Sequence, residues 1–138
     1  MNITSSTAQG KVAVSILHLD GKLDSASYKD FIGASQKLFD NGVRNLLIDL
    51  RNVSFMSSAG LVALHTVGLL FSGRQAEAPE GGGKLFRSIN PQADRLIREH
   101  VKLLGPQSNV AQVLDTVGLK QFFQIFDDLD QAVNSFEE

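Results

Sequence analysis

Two adjacent hydroxyls, Ser57 and Ser58, stand where their chemistry would count. They follow the run Leu46-Leu47-Ile48 and Leu50, broken only by Asp49, and then the short apolar segment Val53 to Met56; they precede an apolar stretch from Leu61 to Phe71. The first run is too short for most helices and reads as a buried strand, while the last is broad enough for a largely buried helix. The turn between them therefore sits at the carboxyl end of a strand, where the first N–H groups of the next helix point outward unpaired. A serine there can cap the helix, and it can equally carry an anionic phosphate. Spacing alone leaves both roles open for Ser58, with Ser57 as the rival acceptor. Gly60 reads either as a place where a partner or phosphate approaches the backbone closely, or as relief for packing. Phe55 and Met56 read as core.

Other elements must hold this turn in place. Val12, Val14, Ile16, Leu17 and Leu19 predict a strand over Lys11 to Leu19 that bends at Asp20-Gly21, preceded by a polar stretch, residues 1–10, that reads as a frayed or weakly paired edge. Asp24 or Ser25 then caps a helix with apolar positions Tyr28, Phe31, Ile32, Leu38 and Phe39, and Asn41-Gly42 ends it. Beyond Phe71, Gly73 to Gly83 has the composition of loop or disorder, and Pro91 sits at or just before the start of a short helix. Val101 to Leu104 reads as a short strand, Ser108 or Asn109 as the cap of a helix Val110 to Val117, and Gly118-Leu119 as its stop. Phe122 to Phe126 reads as a last edge strand, and Asp127-Asp128 opens a terminal helix carrying Leu129, Ala132, Val133 and Phe136. This alternation predicts an α/β fold, a mixed sheet with helices packed on it.

Composition bounds the function classes. One domain of 138 residues can bury a single core, and its 43% apolar and 20% charged fractions are ordinary for a globular protein. The formal charge is −2, with the basic residues dispersed, so nucleic acid is not an expected partner. The absence of cysteine excludes disulfides, thiolate metal sites and Cys nucleophiles. No apolar run reaches spanning length and the first residues lack a charged-then-apolar order, so an unanchored cytoplasmic protein is expected. His18, His65 and His100 are scattered, none beside a Ser and an acid in the local sequence, and Gly81-Gly82-Gly83 lacks the Lys-Ser/Thr of a phosphate loop. Neither catalysis nor a bound cofactor is expected.

Asp49-Leu50, Val53-Ser54-Phe55-Met56, Ser58, Gly60 and Leu61 together resemble the signature of STAS domains, specifically the bacterial anti-sigma factor antagonists. Ser57 stands where that family usually has Asp, and Ala59 where it has Ser or Thr. Gly21-Lys22-Leu23-Asp24 and the segment Leu104 through Leu119 are similar to further family segments. The resemblance implies a single STAS domain over residues 1–138, a mixed sheet of about four to five strands with about four to five helices. An insertion at about 73–99, roughly fifteen residues longer than usual loops, then separates the second helix from the next strand. It implies phosphorylation at Ser58 and a partner-binding surface of Asp24, Ser57, Ser58, Ala59, Gly60 and Leu61. The implied partners are an anti-sigma factor with serine kinase activity and a protein phosphatase. Two other readings remain: a STAS scaffold never switched by a kinase, and a module that senses a ligand or binds nucleotide weakly near the Asp24 and Ser58 turns.

Overall fold

The computed structural model describes residues 1–72 and 91–137. In chain order, β1 (Asn2–Gln9), β2 (Ala13–Leu23), α1 (Tyr28–Asp40), β3 (Leu46–Met56) and α2 (Ser58–Phe71) form the first half. The second half is α3 (Pro91–His100), β4 (Val101–Leu104), α4 (Ser108–Thr116), a 3-10 turn (Leu119–Gln121), β5 (Gln124–Phe126) and α5 (Leu129–Asn134). The five strands lie side by side in sequence order; β1 and β2 are antiparallel and every later pair is parallel. Right-handed crossovers that always advance in one direction must leave their helices on one face of the sheet.

Side-chain alternation agrees with that geometry. Leu17, Leu19, Leu46, Ile48, Leu50, Val101 and Leu103 point to the helical face and form the main core with Phe31, Leu64, Val67 and Val110. The opposite face carries Val14, Ile16, Leu47 and Leu104, covered by α5 through Ala132, Val133 and Phe136. On that face Lys102 is buried, its Nζ donating to the Ser135 carbonyl at 3.0 Å and lying 4.8 Å from the Phe136 ring centroid. Burial pushes the Lys102 ammonium below the usual lysine range, although the carboxylates of Glu137 and Glu99 work against that shift.

Several sequence expectations need correction. Residues 2–9 are not frayed: β1 pairs with β2 over its whole length, from Asn2 opposite Asp20 to Gln9 opposite Ala13. Nor does β2 stop at Asp20-Gly21. It runs on to Leu23 through a register irregularity, with Gly21 at φ +124°, a conformation that side-chain-bearing residues rarely adopt. Helix α1 begins at Tyr28 instead of at Asp24 or Ser25, because Asp24 is used in a turn of its own; it ends at Asn41-Gly42 as expected. Helix α4 begins at Ser108, after Gln107, so neither Ser108 nor Asn109 is its cap. Only residues 124–126 of the aromatic run are strand, since Phe122 and Phe123 are buried behind the 3-10 turn; an apolar run can fill a core as readily as it can pair. The expected terminal helix is present, capped by Asp128 Oδ1 accepting the Asp130 N–H at 2.8 Å. The short helix expected at Pro91 is present as α3, whereas the loop expected at residues 73–83 lies outside the described residues.

Candidate functional site

The site lies where β2 and β3 end together. Their last register pair is Leu23 with Met56, and the next residue of β3's chain, Ser57, donates its N–H to the Leu23 carbonyl at 2.9 Å. That bond ties the Asp24 turn to the Ser57-Ser58 turn. Two register irregularities precede it: β3 advances from Asp49 to Asn52 while β2 advances from His18 to Asp20, and again from Val53 to Phe55 while β2 advances from Gly21 to Lys22. Each inserts one unpaired residue into β3 and reverses the phase of its alternation.

Ser57 is the N-cap of α2. Its backbone is extended and its Oγ accepts the Gly60 N–H at 3.3 Å. Ser58 is the first helical residue, exposed, with no side-chain hydrogen bond among the described residues. The first turn of α2 contains no acidic side chain, so no carboxylate of that turn offsets the partial positive charge at the helix start. Gly60 is buried: a Cβ on it would stand 2.5 Å from the Leu23 carbonyl oxygen and 3.0 Å from Met56 Cγ. Helix α2 can approach the end of β2 closely because that atom is missing.

The expected partner-binding residues therefore divide. Ser58 is exposed, and Ser57, Ala59 and Asp24 are half-buried, all on neighbouring turns. Gly60 and Leu61 are buried and hold the turn from beneath, so they are not part of the accessible surface. Asp24 Oδ1 accepts the Ala26 N–H at 2.9 Å, an Asx turn that closes the loop before α1. Ser27 Oγ completes it by donating to the Lys22 carbonyl at 2.7 Å.

Phe55 was not expected on this surface. It is 47% exposed, next to Met56 at 4%. The second irregularity in β3 causes this: Phe55 stands opposite exposed Lys22, while Val53 and Met56 on either side point into the core. Periodicity reading misses it because a bulge leaves no mark in the pattern.

None of the three histidines belongs to this turn. His100 Nδ1 lies 3.0 Å from Asn45 Oδ1, His65 packs edge-on to Phe122, and His18 lies on the far face of the sheet. No group of three or more His, Cys, Asp or Glu able to hold a metal is found among the described residues. No helix among them is long and apolar enough to cross a membrane.

Fold and turn define a class first: a small α/β domain that presents a helix-start hydroxyl and an exposed aromatic at one end of a singly wound sheet. The family match is more specific. The STAS domain family matches residues 5–70, just under half of the chain, from β1 through nearly all of α2. A comparison with curated protein sequences gives no significant match. Solved structures share the fold across nearly the whole chain. An anti-sigma factor antagonist from Mycobacterium paratuberculosis is 17% identical, with TM-score 0.66, covering 99% of this chain and 96% of its own. A structure described as an anti-sigma factor antagonist from Thermotoga maritima is 17% identical with TM-score 0.68, covering 99% and 95%. The Bacillus cell fate determinant SpoIIAA in its phosphorylated form is 14% identical with TM-score 0.56, covering 96% and 97%.

Proposed function

We propose that this chain is an anti-sigma factor antagonist whose binding surface is the end of the sheet around Ser58. In its unmodified form it binds an anti-sigma factor that is also a serine kinase, and so frees a sigma factor; phosphorylation of Ser58 releases it, and a phosphatase resets it. Such an exchange would take place in the cytoplasm and needs no cofactor or chemistry from this chain. The observation that carries the reading is the division of labour at the turn, with Ser57 as the cap and Ser58 exposed beside it.

Charge explains why a phosphate at Ser58 would act on the partner. It adds about −1.5 to −2 charge. At the start of α2 that charge gains roughly 0.3–1 kcal/mol, too little to refold the domain. Buried in an interface without a matching cation, the same charge can cost about 4 kcal/mol, which weakens binding about a thousandfold.

The test is intact and peptide mass spectrometry after incubation with ATP and the anti-sigma kinases of the same cell, using wild type, Ser58→Ala and Ser57→Ala. One added phosphate that is lost only in Ser58→Ala supports the reading. Binding of a partner with no phosphate from any kinase would remove the switch and leave an unswitched STAS scaffold.

A further inference from the structure

On the open face of the sheet, away from Ser58, three strands bring a serine, a histidine and an aspartate into one hydrogen-bonded line. Ser6 Oγ of β1 lies 2.8 Å from His18 Nε2 of β2, and His18 Nδ1 lies 2.8 Å from Asp49 Oδ2 of β3. The three residues are far apart in the chain, and cross-strand register alone unites them: His18 is directly opposite Asp49 in β3 and opposite Thr4 in β1, two residues from Ser6.

Asp49 is the fixed point. It is buried and surrounded by donors: the Arg51 backbone N–H at 3.0 Å and Nε at 3.0 Å to Oδ1, and Arg51 Nη2 at 2.9 Å to Oδ2 beside His18. The irregularity between His18 and Asp20 allows this, because the extra residue in β3 takes the Arg51 N–H out of the ladder and turns its side chain back onto Asp49. Burial alone would raise the Asp49 carboxyl, yet the hydrogen bonds from Arg51 and His18 outweigh it and hold the group below the usual carboxylate range.

An ionised carboxylate only accepts, so the His18 nitrogen facing it must be the protonated one. In the neutral ring Nε2 is then bare and takes its hydrogen bond from the Ser6 hydroxyl. Nucleophile, base and orienter occupy the positions that activate a serine, whatever fold supplies them. The array is also reachable, with Ser6 exposed and the His18 side chain 34% exposed, whereas the Asp49 side chain is 5% exposed.

We infer that Ser6 is a covalent acyl-acceptor site, its hydroxyl activated by His18 and His18 oriented by Asp49. As Ser6 Oγ bonds to the carbonyl carbon of the donor, its proton passes to His18 Nε2. The carbonyl carbon's bond to the leaving group then breaks, and the leaving group departs with that electron pair and collects the proton from His18. These contacts supply a base and its orienter, so the donor class is one with a good leaving group, an aryl ester or a thioester, for which activation of the hydroxyl is the main requirement. This site is independent of Ser58: it lies on the other face of the sheet from α2, and His18 is about 16 Å along β2 from Leu23.

The probe is p-nitrophenyl acetate, read by the rate of acetylation at each residue in peptide mass spectrometry of wild type, Ser6→Ala, His18→Gln and Ser58→Ala. The expected result is one acetyl group on Ser6, formed about a hundredfold faster than on Ser5 and Thr7, the neighbouring hydroxyls of the same strand. The same advantage is lost in His18→Gln and unchanged in Ser58→Ala. Because Ser5 and Thr7 report within the wild-type sample, the comparison holds even if a variant misfolds. Acetylation of Ser6 no faster than of Ser5 and Thr7, or at an equal rate in a folded His18→Gln, would overturn the assignment.

Discussion

Ser57 Oγ accepts the Gly60 N–H at 3.3 Å, so the first of two adjacent serines is committed to the start of α2 and the second is not. This separates roles that look interchangeable in the chain. Ser57→Ala should cost about 1 kcal/mol of unfolding free energy, and Ser57→Gly only a few tenths. Ser58→Ala should stay within about 0.5 kcal/mol, as expected of an exposed residue whose side chain makes no hydrogen bond among the described residues. Urea unfolding midpoints of the three variants decide it, and a loss in Ser58→Ala equal to that in Ser57→Ala would reverse the assignment of the cap.

Phe55 offers a complementary test of the surface. At 47% exposure its ring adds little to the core, so Phe55→Ala should change stability by no more than about 0.5 kcal/mol. If the end of the sheet binds a partner, the same change should weaken that complex by about 1–3 kcal/mol, because exposed aromatics near the centre of an interface carry much of its energy. Titration calorimetry with the anti-sigma factor measures the second quantity and thermal unfolding the first.

Asp49 gives a pH signature. Its carboxyl is lower in the folded chain than its ordinary value, so its hydrogen bonds contribute stability fully above about pH 4, the unfolded value, and lose it as pH falls through the lower folded one. Asp49→Asn should therefore cost about 2–3 kcal/mol at neutral pH, since bonds to an ionised, buried group are the strong ones. The gap between the two proteins should close in acid. Denaturant unfolding at pH 7 and pH 3 measures whether the gap narrows toward acid; a gap that widened at pH 3 would contradict the sign.

The parts of the fold legible in the sequence were those set by local chemistry. Strand β3 and the helix after it follow from a short apolar run, a polar turn and a broad apolar run, and Asn41-Gly42 and Asp128 punctuate α1 and α5 as their types predict. What stayed hidden depends on pairing. Gly21 reads as a bend although β3 beside it carries β2 on to Leu23, and polar β1 reads as loose because its stability comes from backbone bonds to β2. Phe55 and the line Ser6, His18, Asp49 were invisible for the same reason, since bulges and register decide which side chains meet. The Ser57-Ser58 turn was legible, but which serine capped it was not.

Gly60 ties the packing of α2 to the position of the Ser58 turn. Its missing Cβ would lie 2.5 Å from the Leu23 carbonyl, the same oxygen that accepts the Ser57 N–H at 2.9 Å. A methyl group there cannot be absorbed by a rotamer change, because the atom it meets is backbone; either α2 lifts away from β2 or the Ser57–Leu23 bond breaks. Overpacking of this kind costs about 1–3 kcal/mol. Gly60→Ala should thus be destabilised although alanine is the better helix former, and it should shift amide signals from Asp24 to Leu61 together. If the Ser58 turn binds a partner, Gly60→Ala should also weaken that complex although residue 60 is buried, because the turn carrying Ser58 moves. Stability measured by urea, with amide shifts and affinity on the same samples, tests this: unchanged stability with unchanged shifts would show that the turn adapts, and would return Gly60 to a purely local role.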